Sequence, residues 1–175
     1  GRPRSFFDNG IVAHIGFGDP VCPQLRETLI ASAQAVGVTT HTTGTYVCIE
    51  GPQFSTKAES ELFRSWGMHV IGMTNLPEAR LAREAELAYA TVALVTDYDC
   101  WHPGHDHVTV ESVIQVLQQN TKQAKAMVRD AILRLPASSE SPAHNALDHA
   151  IITKPEAIAP EVKARLQVIA GRVLS

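Results

Sequence analysis

The sequence lacks any run of basic residues, any CxxC pair and any apolar segment of membrane-spanning length, and each absence removes a class of function. Fifteen Lys and Arg against eighteen Asp and Glu give a net charge of -3. The cations are scattered through the chain and not grouped on a stripe, which excludes nucleic acid as an expected partner. Three cysteines, Cys22, Cys48 and Cys100, stand far apart, a spacing that builds neither a disulfide framework nor a zinc knuckle and reads as buried small hydrophobes. The longest apolar stretch, residues 88–96, is far short of the roughly 18 residues that span a bilayer, and no charged-then-apolar leader opens the chain. No membrane partner and a soluble, cytoplasmic protein are therefore expected. The chain also begins at Gly1 and not at Met, with apolar and aromatic residues close behind, which predicts a missing upstream portion. No internal repeat is present. What is there is a chain of 175 residues, 45% hydrophobic, long enough for one sizeable core.

Periodicity predicts an α/β alternation. Leu25, Leu29, Ile30 and Ala33 recur at helical spacing between Pro23 and Gly37, a start and a stop. Residues 39–50, rich in Thr, Tyr, Val and Ile, predict one or two strands broken at Gly44. Thr56 and Glu59 form a capping box ahead of a helix over 58–66 that Gly67 ends. A short apolar strand follows at 68–73, then a helix opened by Pro77 and running to about Leu87. The apolar run 89–96 has the character of a strand buried on both faces. Residues 109–135 carry one long apolar stripe, expected to lie across the sheet. Residues 136–143 read as a linker, and the tail 144–175 carries a short helix at Ile151-Ile152 and an amphipathic helix from Pro160.

In open α/β sheets ligands gather beyond the carboxyl ends of strands, so the stretches 46–55, 70–77 and 95–101 hold the candidate chemistry. Asp97 and Asp99, two apart on extended backbone, project to the same side. In a partly desolvated pocket their repulsion and burial raise one pKa and create a proton donor. The blander alternative is that one caps the next turn while the other faces water, and a third is a Mg²⁺ site. The Asp-x-Asp-x-Thr pattern of phosphatase-like hydrolases is absent, because Trp101 holds the Thr position. The loop with His102, His105, Asp106 and His107 has the wrong spacing for a zinc hydrolase and reads as a polar lid, so no metal is expected. Phe54 can stack on a planar base or belong to the core, and Thr74 can offer a hydroxyl and an N–H to an anion at a helix start.

Together these pieces resemble the methylthioadenosine phosphorylase family. The matching stretches are Arg2-Pro3-x-Ser5-Phe6, Pro20-x-Cys22-Pro23, Ile49-Glu50-Gly51-Pro52-x-Phe54-Ser55, Ala58-Glu59-Ser60 with Phe63-Arg64 and Trp66-Gly67, Met73-Thr74, and Ala93-x-x-Thr96-Asp97-Tyr98-Asp99-Cys100-Trp101. Where the family has Gly-Pro-Arg-Phe, this sequence has Gly51-Pro52-Gln53-Phe54. The resemblance implies a purine nucleoside phosphorylase-like α/β fold, a mixed central β-sheet surrounded by helices. It also implies a homotrimer with active sites near subunit boundaries. The implied activity is that of a pentosyltransferase in purine and methionine salvage, converting methylthioadenosine and inorganic phosphate to adenine and 5-methylthioribose 1-phosphate without a cofactor.

The roles it implies are a purine site at Asp97 with Tyr98 and Asp99, stacking by Phe54 beside Ser55, and ribose packing by Met73. Thr74 would contact phosphate, Val110, Val113 and Ile114 would wall the methylthio group, and His14 would reach the substrate of a neighbouring subunit. Asp97 in place of Asn points to a 6-aminopurine, since a carboxyl accepts from an amino group or shares a proton with N7. The match runs to about Leu135. Residues 1–135 then form the carboxy-terminal part of a nucleoside phosphorylase domain, its amino-terminal phosphate-binding part absent, so this chain alone is expected not to turn over. Two other readings stay open: a phosphorylase for adenosine, inosine or methylthioinosine, and a non-catalytic purine-binding fragment.

Overall fold

A computed structural model describes residues 2–103, 110–138 and 140–174. The helices are α1 (Pro23–Val36), α2 (Lys57–Ser65), α3 (Asn75–Glu84), α4 (Val110–Arg134) and α5 (Pro160–Leu174), and the strands are β1 (Tyr46–Cys48) and β2 (Val70–Gly72). The chain forms two compact units: Gly1–Arg26 with Leu76–Thr91 and Ala137–Ser175, and Glu27–Asn75 with Val92–Pro136.

The first unit has a continuous core. Along α5 the buried residues are Val162, Leu166, Ala170 and Leu174, three steps of four that draw one stripe down the helix. The stripe packs with Phe7, Ile11, Leu147, Ala150 and Ile158. The predicted helix at Ile151-Ile152 does not form. Ile151 instead bridges Ala13 antiparallel, Ile152 donates its N–H to the Val12 carbonyl at 2.9 Å, and a 3-10 turn follows at Pro155–Ala157. Two β-branched residues favour extended backbone over helix, and an extended neighbour lay within reach. Ahead of it, the Ser141 hydroxyl accepts from the Ala143 N–H and caps a 3-10 turn at Pro142–Asn145.

Glu84 is buried on α3 and fully engaged: the Ser5 hydroxyl donates to it at 2.8 Å and the Phe6 N–H at 2.7 Å. Past the end of α3, Glu86 holds φ of +56°, and Leu87 N–H donates to Ala82 C=O at 2.8 Å, a Schellman closure. Gly37 and Gly67 occupy that left-handed position after α1 and α2. Glu86 does so with a side chain because its carboxylate receives the Leu147 N–H at 3.0 Å and the Arg172 guanidinium at 2.5 Å.

The second unit is a β-α-β element. β1 and β2 pair in parallel with Tyr46 opposite Val70 and Cys48 opposite Gly72, and α2 is the crossover between them. The Thr56 hydroxyl accepts from the Glu59 N–H while the Glu59 carboxylate accepts from the Thr56 N–H at 2.7 Å, the reciprocal capping box expected from the sequence. These bonds, the Thr56 N–H first and its hydroxyl second, hold the Glu59 carboxyl below its ordinary value.

Two expectations fail in this unit. The apolar run 89–96 forms no strand: none of its residues joins the sheet of β1 and β2, and the Val95 carbonyl accepts from the Asn120 side chain at 2.8 Å. An apolar run becomes a strand only against a ladder partner. The long helix is present, yet of its expected stripe Met127 and Ala131 are buried while Ile114, Leu117, Val128 and Ile132 are exposed. A 25-residue helix is about 38 Å long, whereas three-residue strands extend about 10 Å, too short to cover it.

Candidate functional site

The end of β1 turns sharply at Gly51, whose φ of +66° lies in the left-handed region. A Cβ there would stand 2.5 Å from the Met73 sulfur, so the Met73 side chain rests directly on this turn. The approach ties the loop after β1 to the residue that follows β2. Gly72 has a similar duty: a Cβ on it would collide with the Tyr46 hydroxyl and lie 2.9 Å from Tyr46 Cζ.

Beyond the turn, Phe54 is 87% exposed, its ring free to meet a planar ligand, and the core reading of Phe54 does not hold. Ser55 is half-buried with its hydroxyl fully buried and unpaired among the described residues. A buried hydroxyl without a partner costs free energy that a ligand's polar atom would recover.

Residues 96–102 lie against this loop and α2. The Cys100 thiol meets the Ser55 carbonyl at 3.7 Å. Asp99, half-buried, accepts from the Ser60 hydroxyl at 2.5 Å and from the Cys100 N–H at 2.8 Å. Asp97 is exposed and accepts from the Thr96 hydroxyl at 2.6 Å. The two carboxylates thus occupy different environments, one tied into the fold and one facing solvent. Tyr98 stacks on His102 with ring centres 4.4 Å apart and meets Trp101 edge-on at 5.8 Å. The Arg64 guanidinium lies 3.5 Å over the Trp101 ring.

The structure therefore ties the loop that carries Phe54 and Ser55 to Met73 through Gly51, and to the segment that carries Asp97 and Asp99 through Cys100. Thr74 is exposed directly before α3, and Ile114 is exposed near the start of α4. The side chains of Val110 and Val113 lie outside the described residues, as do His105, Asp106 and His107 of the expected lid. His14 belongs to the first unit. There its N–H donates to the Ala150 carbonyl at 2.8 Å, so the tail holds its backbone while its side chain is exposed. Sequence reasoning gave no role to Ser60 or Arg64, although their separation by four residues puts both on one face of α2.

Comparison with known proteins follows the same lines. A sequence model of the Phosphorylase superfamily matches residues 1–133. The S-methyl-5'-thioadenosine phosphorylase of Geobacter sulfurreducens is 54% identical over 170 residues, which make up 97% of this chain and 59% of the relative. That of a Synechocystis species is 57% identical over 98% of this chain and 54% of its own length. The chain thus spans somewhat over half the length of these curated relatives. A crystal structure of a methylthioadenosine phosphorylase from an antarctic soil metagenomic library superposes with a TM-score of 0.89 at 45% identity, over 96% of this chain and 60% of that one. The adenine complex of the Schistosoma mansoni methylthioadenosine phosphorylase gives 0.72 at 29% identity, over 79% of this chain and 55% of that one. On the family match and on this shared α/β fold, the chain belongs to the phosphorylase superfamily.

Proposed function

We propose that this chain supplies the nucleoside-binding part of a 5'-methylthioadenosine phosphorylase, which cleaves its substrate with inorganic phosphate to adenine and 5-methylthioribose 1-phosphate. The observation that carries the reading is the cluster around Ser55: a buried, unpaired hydroxyl beside an exposed ring and beside the carboxylate segment Asp97 to Asp99. It supports a polar, planar ligand. The names of relatives at 54% and 57% identity support methylthioadenosine as that ligand.

In this reading Asp97 receives the amino and N7 edge of the purine, with Tyr98 and Asp99 completing its segment. Phe54 stacks on the base, and Met73, set by Gly51, packs on the ribose. Negative charge grows on the departing adenine as the C1'–N9 bond breaks, and a proton shared at N7 relieves it. Thr74 contacts phosphate, Val110, Val113 and Ile114 wall the methylthio group, and His14 reaches the 5' end of a substrate held by a neighbouring subunit of a homotrimer. The protein works in the cytoplasm, in purine and methionine salvage. Among the described residues no helix is long and apolar enough to cross a membrane.

Because the chain spans 54% to 61% of its relatives' length, turnover by the chain alone is not expected. The test is calorimetric titration with methylthioadenosine, adenosine and inosine, alongside an assay for phosphate-dependent adenine release. Binding of methylthioadenosine ahead of inosine, without release, is the expected result; no binding of any purine nucleoside contradicts the reading. One observation favours a second substrate. A Schistosoma mansoni relative at 31% identity and a TM-score of 0.72 is named for adenosine as well as methylthioadenosine, and equal affinity for the two would select it.

A further inference from the structure

We infer that α2 is the template that sets the purine-binding segment, with Ser60 and Arg64 as its positioning residues. The inference rests on the reading that Asp97 faces a purine. Ser60 is 1% exposed, and its hydroxyl has turned inward to Asp99 Oδ2 at 2.5 Å. Four residues on, Arg64 lies over the Trp101 ring at 3.5 Å. Two side chains one helical turn apart thus grip two side chains of the turn that begins at Asp99, where the His102 N–H donates to the Asp99 carbonyl at 3.0 Å. The Cys100 thiol adds a third tie to the Ser55 carbonyl, just ahead of the helix.

The consequence is a division of labour between the carboxylates. Asp99 has both oxygens occupied, Oδ2 by Ser60 and Oδ1 by the Cys100 N–H, and so acts as an anchor. Asp97, two residues earlier, is exposed and carries the contact with the base. Its direction is inherited from the anchor. Ser60 can do this because the capping box fixes the first turn of α2: the Ser60 N–H donates to the Thr56 carbonyl at 3.0 Å, next to the reciprocal Thr56 and Glu59 bonds. Small size matters too, since a longer polar side chain would not fit where only 1% of the residue meets solvent.

Two readouts test this. Adenine serves as probe in calorimetry, and the Trp101 indole N–H signal in NMR reports the segment without any ligand. Ser60→Ala is expected to weaken adenine binding about tenfold, the scale of one lost hydrogen bond to a charged group, and to shift the Trp101 signal. Ser60→Thr keeps the hydroxyl and is expected to restore most of the affinity. Arg64→Ala is expected to move Trp101 further with a smaller loss of adenine affinity, and Arg64→Lys to recover part of it. Unchanged adenine affinity and an unmoved Trp101 signal in Ser60→Ala would overturn the inference. If the unsubstituted chain binds no adenine, the purine reading fails. The template role then stands or falls on whether Ser60→Ala displaces Trp101.

Discussion

The first unit encloses a continuous apolar core, whereas the second leaves much of the apolar face of α4 and of the run before Asp97 exposed. In the first, α5 and the segment around Leu147 close over Phe7 and Ile11, and the core residues are nearly inaccessible. In the second, Leu94, Val95, Leu117, Val128 and Ile132 remain exposed although the sequence patterns them for burial. The difference separates what local pattern encodes from what packing supplies. A stripe or an apolar run specifies a face, and the face is buried only where another element covers it.

The most disruptive change expected is in the first unit. Leu166→Ala removes a side chain that is 2% exposed and should cost about 2–5 kcal/mol by urea denaturation, as should Leu147→Ala. Leu133→Ala, at a residue 80% exposed, should stay within about 0.5 kcal/mol. Equal costs would erase the contrast between the units. Next in size is Gly72→Ala, whose Cβ meets the Tyr46 ring; a loss of about 1–3 kcal/mol is expected, partly recovered by Tyr46→Phe, which removes the colliding hydroxyl.

Thr56→Ala should cost about 1 kcal/mol through the lost cap and loosen the start of α2. The same cap has a pH signature. The Glu59 carboxyl is held below its ordinary 4.5, so its contribution is fully present above that value and is lost as pH falls through the depressed one. Helicity of α2 followed by NMR between pH 5 and pH 2 checks it, with Glu59→Gln abolishing the dependence. The smallest effect belongs to Arg172, which bridges Glu86 and Asp148 from a half-exposed position. Arg172→Ala should cost less than any of these and less still at high salt, which screens an exposed pair.

Much of this was legible in the sequence where the signal is local. The capping box at Thr56 and Glu59, the helix from Pro23 to the stop at Gly37 and the left-handed Gly67 all need only neighbours a few residues away. Ile151 and the run 89–96 misled because their conformation depends on distant residues: Ile151 bridges Ala13, whereas the run joins neither β1 nor β2. At the site, residue types at strand ends drew attention to Phe54, Ser55, Met73 and Asp97. Ser60 and Arg64 escaped because their partners, Asp99 and Trp101, lie 39 and 37 residues along the chain and only folding brings them together.

The central claim is that Asp97 reads a 6-aminopurine. Its most direct test is equilibrium binding of adenine and hypoxanthine to the chain and to Asp97→Asn. The account predicts that adenine binds at least about tenfold more tightly to the unsubstituted chain and that the substitution narrows or inverts the order, because an amide can face O6 where a carboxylate cannot. Equal affinity of the two bases for the unsubstituted chain, or the same loss of both on substitution, would contradict it.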